Sequence, residues 1–146
     1  LRDSNDLIKK IHSKFDSNSN FIMENGVISP DKFHNSMCMI SDWSGISLEY
    51  AFTFERPVIF IDVPKKILNQ NYSDINLEPI EISIREKIGY VVSPKNLEII
   101  PEIIENIFIN NTLHEQIKKI RSETVYNIKK SAIIGADVIE KISNDL

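Results

Sequence analysis

The chain has 146 residues, of which 42% are hydrophobic and 26% are charged. This length suits one domain with a single core, and the composition excludes a wholly disordered chain. The formal net charge is −4 and the basic clusters are no larger than isolated pairs, which excludes a nucleic-acid-binding surface of the usual kind. The single cysteine, Cys38, excludes an internal disulfide and predicts a reducing compartment. No apolar run has the ~18 residues that a membrane helix needs.

The first part of the chain predicts two helices and one strand. Residue 1 is leucine and a helical pattern of apolar residues follows at once, so we expect the chain to be part of a longer protein. After this helix (4–15), the apolar run FIMEN (21–25) predicts a strand that ends at the Asn25-Gly26 turn. Ser29-Pro30-Asp31 has the serine cap and the first-turn proline of a short helix.

Three further apolar runs predict strands. They are MCMISD (37–42), RPVIFID (56–62) and GYVVS (89–93). A helix is predicted between the first two of these runs, over 44–54. The polar connection over 64–81 is longer than most loops of compact domains, which is typical of a functional or a disordered loop.

The remaining segments predict helices. ISIREKI (82–88) is typical of a short helix or turn, and EIIENIFIN (102–110) of a helix with a broad apolar face. A capping-box pattern at Thr112 starts a long last helix, with a bend expected near Gly135.

Strands that alternate with helices predict an α/β fold, with a parallel sheet of about four strands flanked by helices. We expect one domain over 1–146, with its core over 20–110 and its C-terminal helices over 101–144. In parallel sheets of this type ligands bind at the carboxyl ends of the strands. The loop Asp42–Gly45 follows a predicted strand and therefore lies at such an end.

The Asp42–Gly45 loop has the features of an anion site at the start of a helix. A helix N-terminus leaves several N–H groups unpaired and carries roughly half a positive charge. Gly45 lets a phosphate approach the backbone closely, and Ser44 adds a hydroxyl donor. Glu49, about one turn further along, can accept hydrogen bonds from a ribose diol, and Asp42 can order the loop. The alternative is that Ser44 is an ordinary N-cap and Glu49 a surface residue.

The segment MISDWSGISLEYAFTFERPVIFID (39–62) resembles the donor-binding part of GT-B-fold transferases. The resemblance is to the CDP-glycerol glycerophosphotransferase family of teichoic-acid and capsule synthesis, which has an Asp-aromatic-Ser-Ser turn here. This chain has Gly45 in place of the second serine, as the broader nucleotide-sugar transferases have. The likeness extends to EPIEISIREKIGYVV (78–92) and covers roughly 20–110.

The resemblance implies a Rossmann-like C-terminal domain of a transferase that moves glycerol phosphate or a sugar from a CDP- or UDP-activated donor. Ser44 and Gly45 would hold the donor diphosphate, and Glu49 would lie near the ribose. Arg85 would bind a phosphate or form an ion pair that orders a loop. Asp62 and Trp43 are further candidate donor contacts, although Trp43 is also expected to pack.

The family's catalytic histidine and acceptor-binding half precede the resembling segment. The chain alone is therefore expected to be inactive, with no catalytic residue of its own. The acceptor of the parent enzyme would be a cell-surface polymer or a lipid-linked molecule. The parent enzyme would be located in the cytoplasm, at the inner face of the membrane. We expect no cofactor and no metal, because none of the histidines has acidic or cysteine neighbours at ligand spacing.

Two alternatives remain open. One is a UDP-sugar glycosyltransferase or epimerase of the same architecture, and the other is a non-catalytic α/β interaction domain. The resemblance also implies the strand order 3-2-1-4-5-6, in which the first two, central strands would lie outside the chain. The remaining strands would then pair anew, or the chain would associate with itself, or the alignment with the family would be wrong.

Overall fold

The computed structural model describes residues 2–24, 26, 29–65, 74, 77–110 and 113–145. The chain divides into two compact units, Leu1–His34 and Asn35–Leu146. The first, smaller unit contains two helices, and the second contains a sheet and the remaining helices.

In the first unit, helix α1 spans Arg2–Phe15 and the short helix α2 spans Pro30–His34, as predicted. The predicted strand at 21–25 is wrong, because its described residues, 21–24, have no regular structure. Phe21 instead packs its ring against Phe15 at the end of α1, with 5.3 Å between the ring centroids. A short apolar run forms a strand only when a neighbouring strand takes up its hydrogen bonds, and no such neighbour is described in this unit.

The second unit contains a parallel sheet of three strands in the order β1-β2-β3, among the residues described. The strands are β1 (Met39–Ser41), β2 (Val58–Ile61) and β3 (Gly89–Val92). Met39 pairs with Val58, and Val58 with Gly89. The α/β class and the parallel sheet are therefore confirmed, whereas the described sheet has three strands and not four.

The helices of the second unit connect and follow these strands. Helix α3 (Ile46–Phe54) joins β1 to β2, and α4 (Ile80–Ser83) and α5 (Arg85–Ile88) precede β3. A 3-10 turn and α6 (Ile100–Asn110) follow β3.

The last predicted helix is two helices, α7 (Leu113–Thr124) and α8 (Ser131–Asn144). The bend expected near Gly135 is wrong: the chain breaks between Thr124 and Ser131, where Asn127 and Lys129 have positive φ, and α8 runs through Gly135. Asparagine tolerates the left-handed conformation better than most residues, which explains the position of the break. Thr112 of the predicted capping box lies outside the described residues.

Helices cover both faces of the sheet. On one face Ile59 and Val92 pack against Ile107 of α6. Val58 and Phe60 alternate with Ile59 along β2 and therefore point to the other face, where α5 contacts β2 and β3. Helix α7 packs on α5 and α3, and its Ile117 is fully buried. Coverage on both sides explains why the run VIFI is apolar without alternation.

Candidate functional site

The loops that follow β1 and β2 meet at the carboxyl edge of the sheet. The indole N–H of Trp43, in the loop after β1, donates a hydrogen bond of 2.7 Å to the carbonyl oxygen of Val63, in the loop after β2. The two loops are therefore joined through a side chain. Lys65 adds its ammonium 5.5 Å from the centroid of the Trp43 ring. Trp43 is thus engaged in packing between the loops.

Arg85 joins the same edge from the other side. It is the first residue of α5 and is only 5% exposed. One terminal nitrogen, Nη1, donates a hydrogen bond of 2.8 Å to the Asp62 carboxylate at the end of β2. The guanidinium carbon lies 3.9 Å from the centroid of the Trp43 ring and 5.0 Å from that of Phe60.

These contacts fix the guanidinium of Arg85. Each cation–π contact contributes from about 0.5 to 2 kcal/mol, with the higher value for desolvated groups such as this one. The ion pair contributes about 1 kcal/mol or less, because the Asp62 side chain is half exposed and its charge is screened by water. The aromatic rings therefore hold Arg85 more firmly than the carboxylate does.

A small cavity of about 10 Å³ lies beside Arg85, at the start of α3. Its lining comes from the loop after β1, the first turn of α3, β2 and the α4–α5 segment. The lining residues are Asp42, Trp43, Ser44, Ser47, Leu48, Phe60, Glu81 and Arg85. Three buried polar atoms here, Oγ of Ser47 and Nε and Nη2 of Arg85, have no hydrogen-bond partner among the described residues. The volume admits about one water molecule and is too small for a phosphate group.

The two unpartnered nitrogens of Arg85 form one edge of its guanidinium. Nε–H and Nη2–H point in parallel, which is the geometry that binds two oxygens of a carboxylate or phosphate. Nη1, on a different edge, is the nitrogen that holds Asp62. Arg85 can therefore keep its ion pair and still offer two donors to an oxyanion.

The start of α3 is open to solvent. The backbone N–H groups of Ser47 and Leu48 donate to the carbonyl oxygens of Ser44 and Gly45, at 3.1 Å each, and no side chain caps the helix. Ser44 and Gly45 are exposed. Gly45 has a φ of −59°, which any residue adopts, and no atom of the described residues lies within 4 Å of the position of a β-carbon there. Among the described residues, neither backbone conformation nor packing requires glycine at this position, and none of them fills the space above it.

The structure therefore brings together five of the seven predicted site residues: Asp42, Trp43, Ser44, Asp62 and Arg85. Gly45 adjoins them at the exposed start of α3. Glu49 is exposed on α3 and is not among the residues that line the small cavity. Glu49 would therefore contact a ribose only if the ligand extends along the outside of the helix.

Two polar residues that line the small cavity were not predicted, Ser47 and Glu81. Ser47 lies within α3 and is 1% exposed, and Glu81 is four residues before Arg85. The signal for Ser47 was available, since a serine three residues after Ser44 lies on the same side of a helix. Glu81 adds a carboxylate to a rim that already contains Asp42 and Asp62, so the edge is not strongly positive.

None of the helices in the described ranges is long and apolar enough to cross a membrane. The same residues contain no group of three or more His, Cys, Asp or Glu side chains that could hold a metal ion. Comparisons with protein-family models, with curated proteins and with solved structures give no match for this chain.

Proposed function

We propose that the Asn35–Leu146 unit binds the activated donor of a transferase of the GT-B type. The transferase would move glycerol phosphate or a sugar unit from a CDP- or UDP-activated donor to a cell-surface polymer or a lipid-linked acceptor. The observation that carries the proposal is the open start of α3 at the carboxyl edge of a parallel sheet, beside the two free donors of Arg85. Parallel sheets place their ligands at this edge.

The donor diphosphate would lie on the solvent side of Ser44 and Gly45. The small cavity is too tight for a phosphate, whereas no described residue fills the space over Gly45. The partial positive charge of the helix N-terminus and the Ser44 hydroxyl would then stabilise the negative charge that develops on the leaving diphosphate. This stabilisation needs no metal from the protein, and hydrogen bonds from charged or dipolar donors of this kind are worth about 1.5–3 kcal/mol each.

Arg85 and Glu49 would complete the donor contacts. Arg85 would present Nε and Nη2 to a phosphate oxygen when the exposed side chains of Asp42 and Glu81 move aside from the cavity. Glu49 would accept hydrogen bonds from the ribose. Trp43 and Asp62 would act through Arg85 and the β2 loop, because both are engaged with these groups in the structure.

The reaction itself would need groups from elsewhere in the parent enzyme. The resembling segment contains neither the catalytic histidine nor the acceptor-binding half of the family, so we expect the chain alone to bind a donor without transferring it. The parent would act in the cytoplasm, at the inner face of the membrane where its acceptor is assembled.

The test is calorimetric titration of the chain with CDP, UDP and CDP-glycerol. We expect saturable binding that Gly45→Ala and Ser44→Ala each weaken about tenfold, the factor that corresponds to 1.4 kcal/mol. Gly45→Ala is the sharper variant, because the added methyl group meets no atom of a described residue within 4 Å and stands where the phosphate would approach. Ser122→Ala, at an exposed serine of α7, is the matched control.

The preferred nucleotide then separates the candidate functions. A preference for CDP-glycerol supports the glycerophosphotransferase, and a preference for UDP supports the UDP-sugar glycosyltransferase or epimerase. If none of the three ligands binds, the donor-site proposal is wrong for this chain. The joined loops around Arg85 would then have a structural role, as the non-catalytic interaction domain requires.

A further inference from the structure

The small cavity beside Arg85 combines buried hydrogen-bonding groups with very little space. Arg85 and Ser47 both line it, and both residues are at least nine-tenths buried. Nε and Nη2 of Arg85 and Oγ of Ser47 have no hydrogen-bond partner among the described residues. Buried polar groups are rarely left unpaired, because each has lost its hydrogen bonds to water without replacement. Three such atoms around one small space therefore indicate that a bound species joins them.

All three groups can donate to the same species. Nε–H and Nη2–H lie on one edge of the guanidinium, and the hydrogen of the Ser47 hydroxyl can rotate toward that edge. The carboxylate partner of Arg85, Asp62, binds Nη1 on a different edge, and its side chain is half exposed. Solvent therefore screens the charge of Asp62, whereas the guanidinium is buried. The edge with Nε and Nη2 favours a species that accepts hydrogen bonds and carries negative charge.

The size of the cavity decides which anion it can hold. Its volume of about 10 Å³ admits about one water molecule. A chloride ion is only slightly larger than a water molecule, whereas phosphate, sulfate and carboxylate groups each need room for several heavy atoms. The start of α3 adds a partial positive charge, and Leu48 and Phe60 contribute an apolar wall. The cavity therefore suits a monatomic anion that is weakly hydrated.

Two carboxylates also line the cavity and limit its affinity for an anion. Asp42 and Glu81 are exposed residues, so water and salt screen their charges more than those of the buried donors. In the described part of the chain neither carboxylate is hydrogen-bonded to Nε or Nη2 of Arg85. The affinity for an anion should therefore rise when one of these two negative charges is removed.

From these observations we propose that the small cavity at the start of α3 is a chloride site. The ion would accept hydrogen bonds from Nε and Nη2 of Arg85 and from the Ser47 hydroxyl. It would compensate the buried guanidinium charge on the edge that Asp62 does not reach. A phosphate oxygen of the proposed donor would displace the ion from Arg85, but the chloride site needs no nucleotide. It therefore stands whether or not a donor binds.

The test uses the fluorescence of Trp43, the single tryptophan of the chain. Its ring lines the cavity, with the guanidinium carbon of Arg85 3.9 Å from the ring centroid. Bromide binds where chloride binds and quenches indole fluorescence on contact. We expect bromide to quench part of the Trp43 fluorescence along a saturable curve, and chloride to reverse this part. Sulfate at the same ionic strength should not reverse it, since the cavity does not admit a tetrahedral anion.

Two substitutions with opposite effects test whether the ion lies in this cavity. Ser47→Ala removes one donor and should weaken bromide binding about fivefold. Glu81→Gln removes a negative charge from the lining and should strengthen bromide binding about twofold. Thr53→Ala is the matched control, because Thr53 is an exposed residue of the same helix and does not line the cavity. This variant should bind bromide with unchanged affinity.

Four results would each overturn the proposal. They are quenching that rises without saturation, reversal by sulfate as effective as reversal by chloride, equal affinities of the Ser47 and Thr53 variants, and no gain of affinity in the Glu81 variant. Circular dichroism shows whether each variant is folded. If Ser47→Ala does not fold, the Glu81 variant and the comparison of chloride with sulfate still decide the question.

Discussion

The substitution Gly89→Ala should destabilise the second unit strongly. Gly89 starts β3 and pairs with Val58 of the central strand β2. A β-carbon at residue 89 would lie 2.7 Å from the carbonyl carbon of Val58 and 3.0 Å from its nitrogen, and closer still to its carbonyl oxygen. The φ of Gly89 is −179°, an extended value that any residue adopts, so the conflict is one of space and not of backbone conformation.

The magnitude follows from what the added methyl group meets. All three neighbouring atoms belong to the backbone of β2, where Val58 is fully buried, so no flexible side chain can move aside. Overpacking of this kind costs about 3 kcal/mol, a large part of the 5–15 kcal/mol that holds a typical domain folded. The substitution should also displace Arg85, which lies at the start of α5 immediately before β3.

The assay is urea denaturation followed by circular dichroism, with two other glycines as controls. In the part of the chain that the structure describes, no atom lies within 4 Å of a β-carbon at Gly45 or Gly135. Gly45→Ala should therefore leave the free energy of unfolding nearly unchanged. Gly135→Ala should raise it by about 0.8–1 kcal/mol, because Gly135 lies within α8 and alanine favours the helix. The reasoning is refuted if Gly89→Ala unfolds at the same urea concentration as the unsubstituted chain or as the Gly45 variant.

Three further predictions concern stability and reactivity. Trp43→Phe removes the indole hydrogen bond between the loops that follow β1 and β2 and should lower the free energy of unfolding by about 1–2 kcal/mol in the same urea assay. An unchanged free energy would show that this hydrogen bond does not hold the two loops together. Arg121→Met removes the 2.7 Å partner of the largely buried Glu55 carboxylate and should lower the free energy of unfolding by about 2–3 kcal/mol. The control Lys119→Met, at an exposed ion pair, should lower it by less than ~0.5 kcal/mol. Equal losses in the two variants would contradict this. Burial raises the pKa of the Cys38 thiol above its unfolded value. The contribution of the buried neutral thiol to stability is therefore present at neutral pH and is lost as the pH rises through the folded pKa. Because iodoacetamide reacts with the thiolate, alkylation of Cys38 at pH ~8 should be slower than that of free cysteine.

The strands that the sequence predicted correctly share a local signal. β1, β2 and β3 are apolar runs next to a turn, a proline or a glycine, and each is covered by helices. The run at 21–25 has the same local signal and fails, because a strand also needs a neighbour. A bend within one long last helix was expected near Gly135, where the residue type favours it, although α7 ends at Thr124 and the chain turns at Asn127 and Lys129. Local composition therefore predicts elements better than it predicts pairing.

The candidate site was predictable where it depends on strand ends. Asp42 and Asp62 follow strands directly, Ser44 lies two residues after Asp42, and the carboxyl ends of parallel strands meet at one edge. The stacking of Arg85 on Trp43 depends on how α5 lies over the sheet, which no pattern within either segment encodes.

The strand order sets a condition on the proposed donor site. β1, β2 and β3 follow one another across the sheet in chain order, so the strand order of the described sheet does not reverse. Open parallel sheets bind ligands in the crevice where the order reverses. The loop of Ser44 follows β1, which among the described strands has a neighbour on one side only, and Ile40 within it is 51% exposed. A complete crevice at Ser44 therefore requires a further strand beside β1, whereas the Arg85 contacts need none. Donor binding by this chain alone would mean that the start of α3 and Arg85 suffice.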